Sequence, residues 1–116
     1  MDWEPIGKAD LLKEIDRGYR AMSPPQKRLW KAICIAPRKW HQHPWGDEGG
    51  GFWVVAILGE TAIWYNDIEE GFNRSRYSEY GTLDDYWCNQ DELNEAMQHL
   101  FHEIQMGARS GYHSKP

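Results

Sequence analysis

The stretch Gly49-Gly50-Gly51-Phe52-Trp53-Val54-Val55-Ala56-Ile57-Leu58-Gly59-Glu60-Thr61-Ala62-Ile63-Trp64-Tyr65-Asn66-Asp67 decides the fold. Residues 52–58 are apolar at every position. Gly59-Glu60 puts a glycine at the first central position of a two-residue turn, as a type II′ hairpin requires. Residues 61–66 return as the second strand, with Ala62 and Trp64 opposite Ile63 and Tyr65. Strict alternation places Phe52, Val54, Ala56 and Leu58 on one face and Trp53, Val55 and Ile57 on the other. A strand with one wet face would alternate with polar residues. This hairpin does not, so it is central and covered on both sides.

Past the hairpin, residues 72–80 read as an edge strand. Arg74 and Arg76 there discourage edge-to-edge pairing. Residues 81–88 read as a connecting loop. Asn89 is the expected cap of a helix, with Glu92 at its third position and Asp91 suited to the positive helix start. Leu93, Met97, Leu100, Phe101 and Ile104 form an apolar stripe at helical spacing, and Gly107 is a stop signal.

Before the hairpin, Leu11, Leu12, Ile15, Tyr19 and Met22 place a helix over 8–22, which Ser23-Pro24-Pro25 ends. Residues 24–36 fit two patterns. Ser23, Pro24 and Gln26 have the form of a helix cap, yet Leu29, Ile33 and Ile35 also alternate as in a strand. The expectation is one turn over 24–28, a strand over 29–36 and a loop over 37–51. The order is α-β-β-β-β-α. It predicts a single α+β domain over 1–106, with a mostly antiparallel sheet of three to four strands packed by an N-terminal and a C-terminal helix. Residues 107–116 read as a polar tail.

The chain has 116 residues and a net charge of −5. The charge is unevenly spread. Residues 1–45 carry nine Lys/Arg against five Asp/Glu, while residues 46–106 carry two against thirteen. Such asymmetry suits steering toward a basic partner. It disfavours nucleic acid, whose phosphates need Lys and Arg. The longest apolar run, 52–58, is far short of the roughly 20 residues that span a bilayer. The start, Met1-Asp2-Trp3-Glu4-Pro5, has neither the basic nor the apolar region of a signal peptide, so a cytoplasmic protein is expected. Cys34 and Cys88 both sit in apolar sequence and read as buried free thiols.

No motif for nucleotide binding or nucleophilic catalysis is present. Asp67 to Asn73 resembles a calcium loop only faintly: glycine falls at the fifth position rather than the sixth, and Ser78 stands where a bidentate glutamate belongs. His99 and His102 lie three apart rather than four, and Glu95 before His99 reads as a helix-surface pair. His41 and His43, with Asp47 and Glu48 close behind, could line a small-ligand or enzymatic site in the loop, and no cofactor is implied. The seven tryptophans and six tyrosines exceed what a core this small can hide. Tryptophan and tyrosine dominate binding hot spots. The expected function is therefore a small acidic protein-interaction module, one form being an immunity-type inhibitor of a basic toxin or nuclease. Its expected surface joins Asp67, Glu69, Glu70, Asp84 and Asp85 to Trp64, Tyr77, Tyr80, Tyr86 and Trp87. A homodimer through the edge strand or the surplus tryptophans is a further expectation.

Overall fold

The structure, a computed structural model, describes residues 3–106; the tail expected at 107–116 lies outside the described residues. The elements run α1 (Lys8–Arg20), α2 (Pro24–Ile33), β1 (Cys34–Trp40), β2 (Phe52–Leu58), β3 (Thr61–Asn66), β4 (Gly71–Arg76) and α3 (Leu93–Met106). The four strands form one antiparallel sheet in chain order, so β1 and β4 are its edges. The α+β class, the hairpin and the flanking terminal helices match the sequence reading. Gly59 has φ +59°, as the turn requires. No helix among the described residues is long and apolar enough to cross a membrane.

Residues 24–33 correct that reading. They form a helix, and Ser23 and Gln26 close a reciprocal capping box. The Gln26 N–H donates to Ser23 Oγ at 3.3 Å, and the Ser23 N–H donates to Gln26 Oε1 at 2.9 Å. Trp30 and Ile33 are buried on one side of it, with Leu29 partly buried beside them. β1 therefore starts later and runs through Pro37 to Trp40, where a loop was expected. Proline is tolerated here because β1 is an edge, and its register breaks between Cys34 and Arg38. Edge position also explains why Cys34 is exposed rather than buried; Cys88 is exposed as well.

A β-bulge changes which side chains share a face. Trp53 pairs with Tyr65 and Val54 with Trp64, but Ala56 pairs with Ile63, which leaves Val55 as the extra residue. Val55 and Ala56 consequently both join the core under the helices. Past the bulge the expected alternation is reversed. Leu58 packs on the helix side, and Ile57 packs on the other.

The three helices cover one face of the sheet. Leu11, Trp30, Ile33, Leu93, Met97 and Leu100 meet Val55, Ile63, Tyr65 and Phe72 there. α1 crosses the start of α3 at Gly18, where a Cβ would stand 2.5 Å from Leu93 Cβ. α3 begins at Leu93 rather than just after Asn89. The Glu92 N–H donates to the Glu95 carboxylate at 2.7 Å, the returning half of a capping box. Glu95 therefore serves the helix start, and His99 instead faces Asp91 at 3.5 Å.

Candidate functional site

Among the described residues no helix lies over the second face of the sheet. The chain from Tyr77 to Glu92 crosses it as coil. Such a cover exposes many backbone groups to an apolar floor, and each one needs a partner. Strand side chains supply several. Ser75 Oγ donates to the Asp85 carbonyl at 3.0 Å and accepts from the Trp64 indole at 2.8 Å. Asn66 Nδ2 donates to the Trp87 carbonyl at 2.9 Å. Asn73 accepts the Asn89 N–H at 2.9 Å and donates to its carbonyl at 3.0 Å. Asn66, Asn73 and Ser75 are all buried. The pairing of Asn89 with Asn73 explains why Asn89 does not cap α3. Gly71 leaves room for the crossing: a Cβ there would stand 2.3 Å from the Asn89 carbonyl oxygen.

Trp40, Phe52, Val54, Ala62, Trp64 and Leu83 form the core beneath this coil. Trp64 is completely buried, so it is the floor of this face and offers no surface to a partner. Above the floor the aromatic rings continue outward. Tyr86 packs on Phe52 and Trp64, with centroids 6.0 Å from each, and Trp45 stacks on Tyr86 at 5.2 Å. Trp40 carries Tyr77 at 5.0 Å and Tyr80 at 4.8 Å. Tyr77 is partly tied down, since its hydroxyl donates to the Gly59 carbonyl at 2.7 Å. The outermost rings stay open: Trp45 is 55% exposed, Tyr80 64% and Trp87 53%.

The loop that begins at His41 and the coil through Gly81 and Leu83 lie side by side. The His41 N–H donates to the Gly81 carbonyl at 2.8 Å, and the His41 carbonyl accepts from the Leu83 N–H at 2.9 Å. The 41–48 loop thus edges the coil that carries Tyr80 and Tyr86. Buried Gln42 accepts the Trp45 N–H at 3.1 Å and fixes that residue. His43 Nδ1 and Asp47 Oδ2 are 2.6 Å apart. His41, His43, Asp47 and Glu48 are all exposed. Among the described residues no three His, Cys, Asp or Glu side chains cluster in a way that could hold a metal ion. Trp45 was absent from the expected surface. The only signal for it was an aromatic ring in an otherwise polar, glycine-rich loop.

The acidic residues do not share one patch. Asp84 and Asp85 lie beside the Arg76 end of β4, where Asp84 Oδ2 accepts from the Ser78 hydroxyl at 2.8 Å and Asp85 Oδ2 accepts from the Arg76 N–H at 3.4 Å. Asp67, Glu69 and Glu70 lie at the other end of β3 and β4, about 20 Å away for six residues of strand. Exposed Glu70 joins Glu4, Asp10 and Glu14 there around a cleft of about 680 Å³. Asp67 is buried and structural: its Oδ2 accepts the Ile6 N–H at 2.8 Å, and its carbonyl accepts the Trp3 indole at 2.9 Å. Burial pushes its carboxyl above the usual range, against the hydrogen bond from Ile6. Burial likewise raises the neighbouring Tyr65 phenol to about 12, helped by the charges of Glu14 and Glu70.

No family model matches the chain, and no curated protein or solved structure matches it.

Proposed function

We propose that the protein is a protein-interaction module that takes a partner with a basic surface on the coil-covered face of its sheet. One observation carries this reading. Trp45 and Tyr80 keep more than half of their surface open while resting on a rigid aromatic floor of Tyr86, Phe52 and Trp40. Rings held in this way offer large contact area at little entropic cost, which is how hot-spot residues act. Exposed Asp47, Glu48 and Glu79 lie on the same two segments, and their charge would steer a basic partner. An inhibitor of a basic toxin or nuclease, of the immunity type, is one concrete form.

The test is affinity capture from a lysate, followed by binding measurements on the captured partner. Trp45→Ala and Tyr80→Ala should each weaken binding about thirtyfold or more, the loss of about 2 kcal/mol typical of a hot spot, with the fold unchanged. Glu48→Lys with Glu79→Lys should slow association, and the effect should fade between about 50 and about 300 mM salt as screening shortens the reach of charge. Binding indifferent to both ring truncations overturns the reading. Sedimentation of the free protein checks whether a second copy uses the same face. The alternative, a small-ligand or enzymatic site at 41–48, has the His43–Asp47 pair in its favour.

A further inference from the structure

The outer side of edge strand β4 is closed at two points. The Phe72 N–H donates to the Asp91 carbonyl at 2.8 Å. Four residues on, the Arg76 carbonyl accepts from the Asp84 N–H at 3.0 Å, and the Arg76 N–H reaches Asp85 Oδ2. The register of β4 against β3 is unbroken from Gly71 to Arg76. Backbone groups of an antiparallel strand alternate between its two sides with period two. The N–H and carbonyl of Arg74, midway, therefore point to the same outer side as those of Phe72 and Arg76. Neither has a hydrogen-bond partner among the described residues.

Arg74 lines a cleft of about 370 Å³, together with Ser75, Asp85, Trp87, Asn89 and Glu103 among others. Asn66 holds the Trp87 carbonyl, so that residue is anchored at the rim while half of its surface stays open. The Arg74 side chain is ion-paired with Glu103 across the cleft. Charges of both signs line the space, which suits an uncharged dipolar group better than an ion.

We infer that this window recognises a single extended residue of a partner protein's peptide segment, which turns away from β4 on either side of that residue. That residue pairs its own N–H and carbonyl with the carbonyl and N–H of Arg74 and lays its side chain on the Trp87 ring. In an antiparallel pair, one residue exchanges both bonds with the residue opposite it. The closures at Phe72 and Arg76 leave room for no longer ladder. Main-chain bonds supply affinity and the adjoining ring supplies selectivity, as in other strand-addition sites. The inference stands apart from the basic-partner reading, since it uses neither Trp45 nor Tyr80.

The test is an NMR titration of the full chain with N-acetyl-valine N-methylamide. Saturable shifts are expected at the Arg74 amide and the Trp87 indole N–H. The analogue with an ester oxygen in place of the valine N–H should bind about three- to tenfold more weakly, the usual worth of one hydrogen bond. Trp87→Ala should weaken binding by about the same factor, and Trp45→Ala should leave it unchanged. Absence of a saturable shift at Arg74, or equal binding of amide and ester, overturns the inference. So does concentration-dependent exchange protection of the Arg74 amide without probe, which would assign the window to a second copy.

Discussion

The helix face of the sheet is closed by apolar side chains from three helices, whereas the opposite face is closed by a coil pinned through buried asparagine and serine side chains. Helices satisfy their own backbone groups, so their only requirement at the sheet is shape. A coil does not, so the strands beneath it must carry hydrogen-bonding side chains among tryptophans. The helix face tolerates apolar exchange of similar volume. The coil face depends on particular polar atoms, and among the described residues it is there that aromatic rings are left open on a fixed base.

The largest expected effects test whether both faces are true cores. Met97→Ala under the helices should cost about 2–5 kcal/mol, and Trp64→Ala under the coil about 3–5 kcal/mol, in urea unfolding. A loop-face loss below about 1 kcal/mol would show that the coil only decorates the sheet. Asn73→Ala comes next, at about 1–3 kcal/mol, because it removes both hydrogen bonds that the buried Asn73 side chain makes to the Asn89 N–H and carbonyl. Hydrogen exchange should then quicken over 85–91 and leave α1 and α2 protected; uniform quickening would mean that the two faces unfold as one unit. Ser23→Ala should cost about 1 kcal/mol through the lost cap of α2, seen as a lower unfolding midpoint with an unchanged slope.

The smallest effect concerns Asp67, which joins the N-terminal segment to the sheet. Its folded pKa is raised above the unfolded value, so the folded state holds the proton more tightly. Its favourable contribution is therefore complete below the unfolded pKa and is lost as pH rises through the folded one. Asp67→Asn should match or slightly exceed the wild type in stability at neutral pH. That advantage should disappear on acidification below about pH 4, near the ordinary carboxylate value. A variant that gains relative stability in acid would show that the Ile6 hydrogen bond outweighs burial.

Much of the scaffold was legible in order. The unbroken apolar run, the Gly59 turn and the stripe from Leu93 to Ile104 are local signals, and local geometry obeys them. Residues 24–33 were harder to read, because an apolar run of that length fits either period; the Ser23–Gln26 box was the better guide. The bulge at Val55 left no mark, because valine and alanine suit either face of a strand covered on both. The expected surface was legible only in pieces. Tyr80 and Trp87 are exposed, but Trp64 and Asp67 are buried, and the carboxylates divide between the two ends of β4.

The sequence by itself determined the class of fold and the central hairpin, since hydrophobic period and turn chemistry act over a few residues. Only the tertiary structure decided what covers the second face and which rings stay open. Those outcomes depend on contacts such as Asn66 with Trp87 and His41 with Gly81, between residues far apart in the chain, and no local pattern records them.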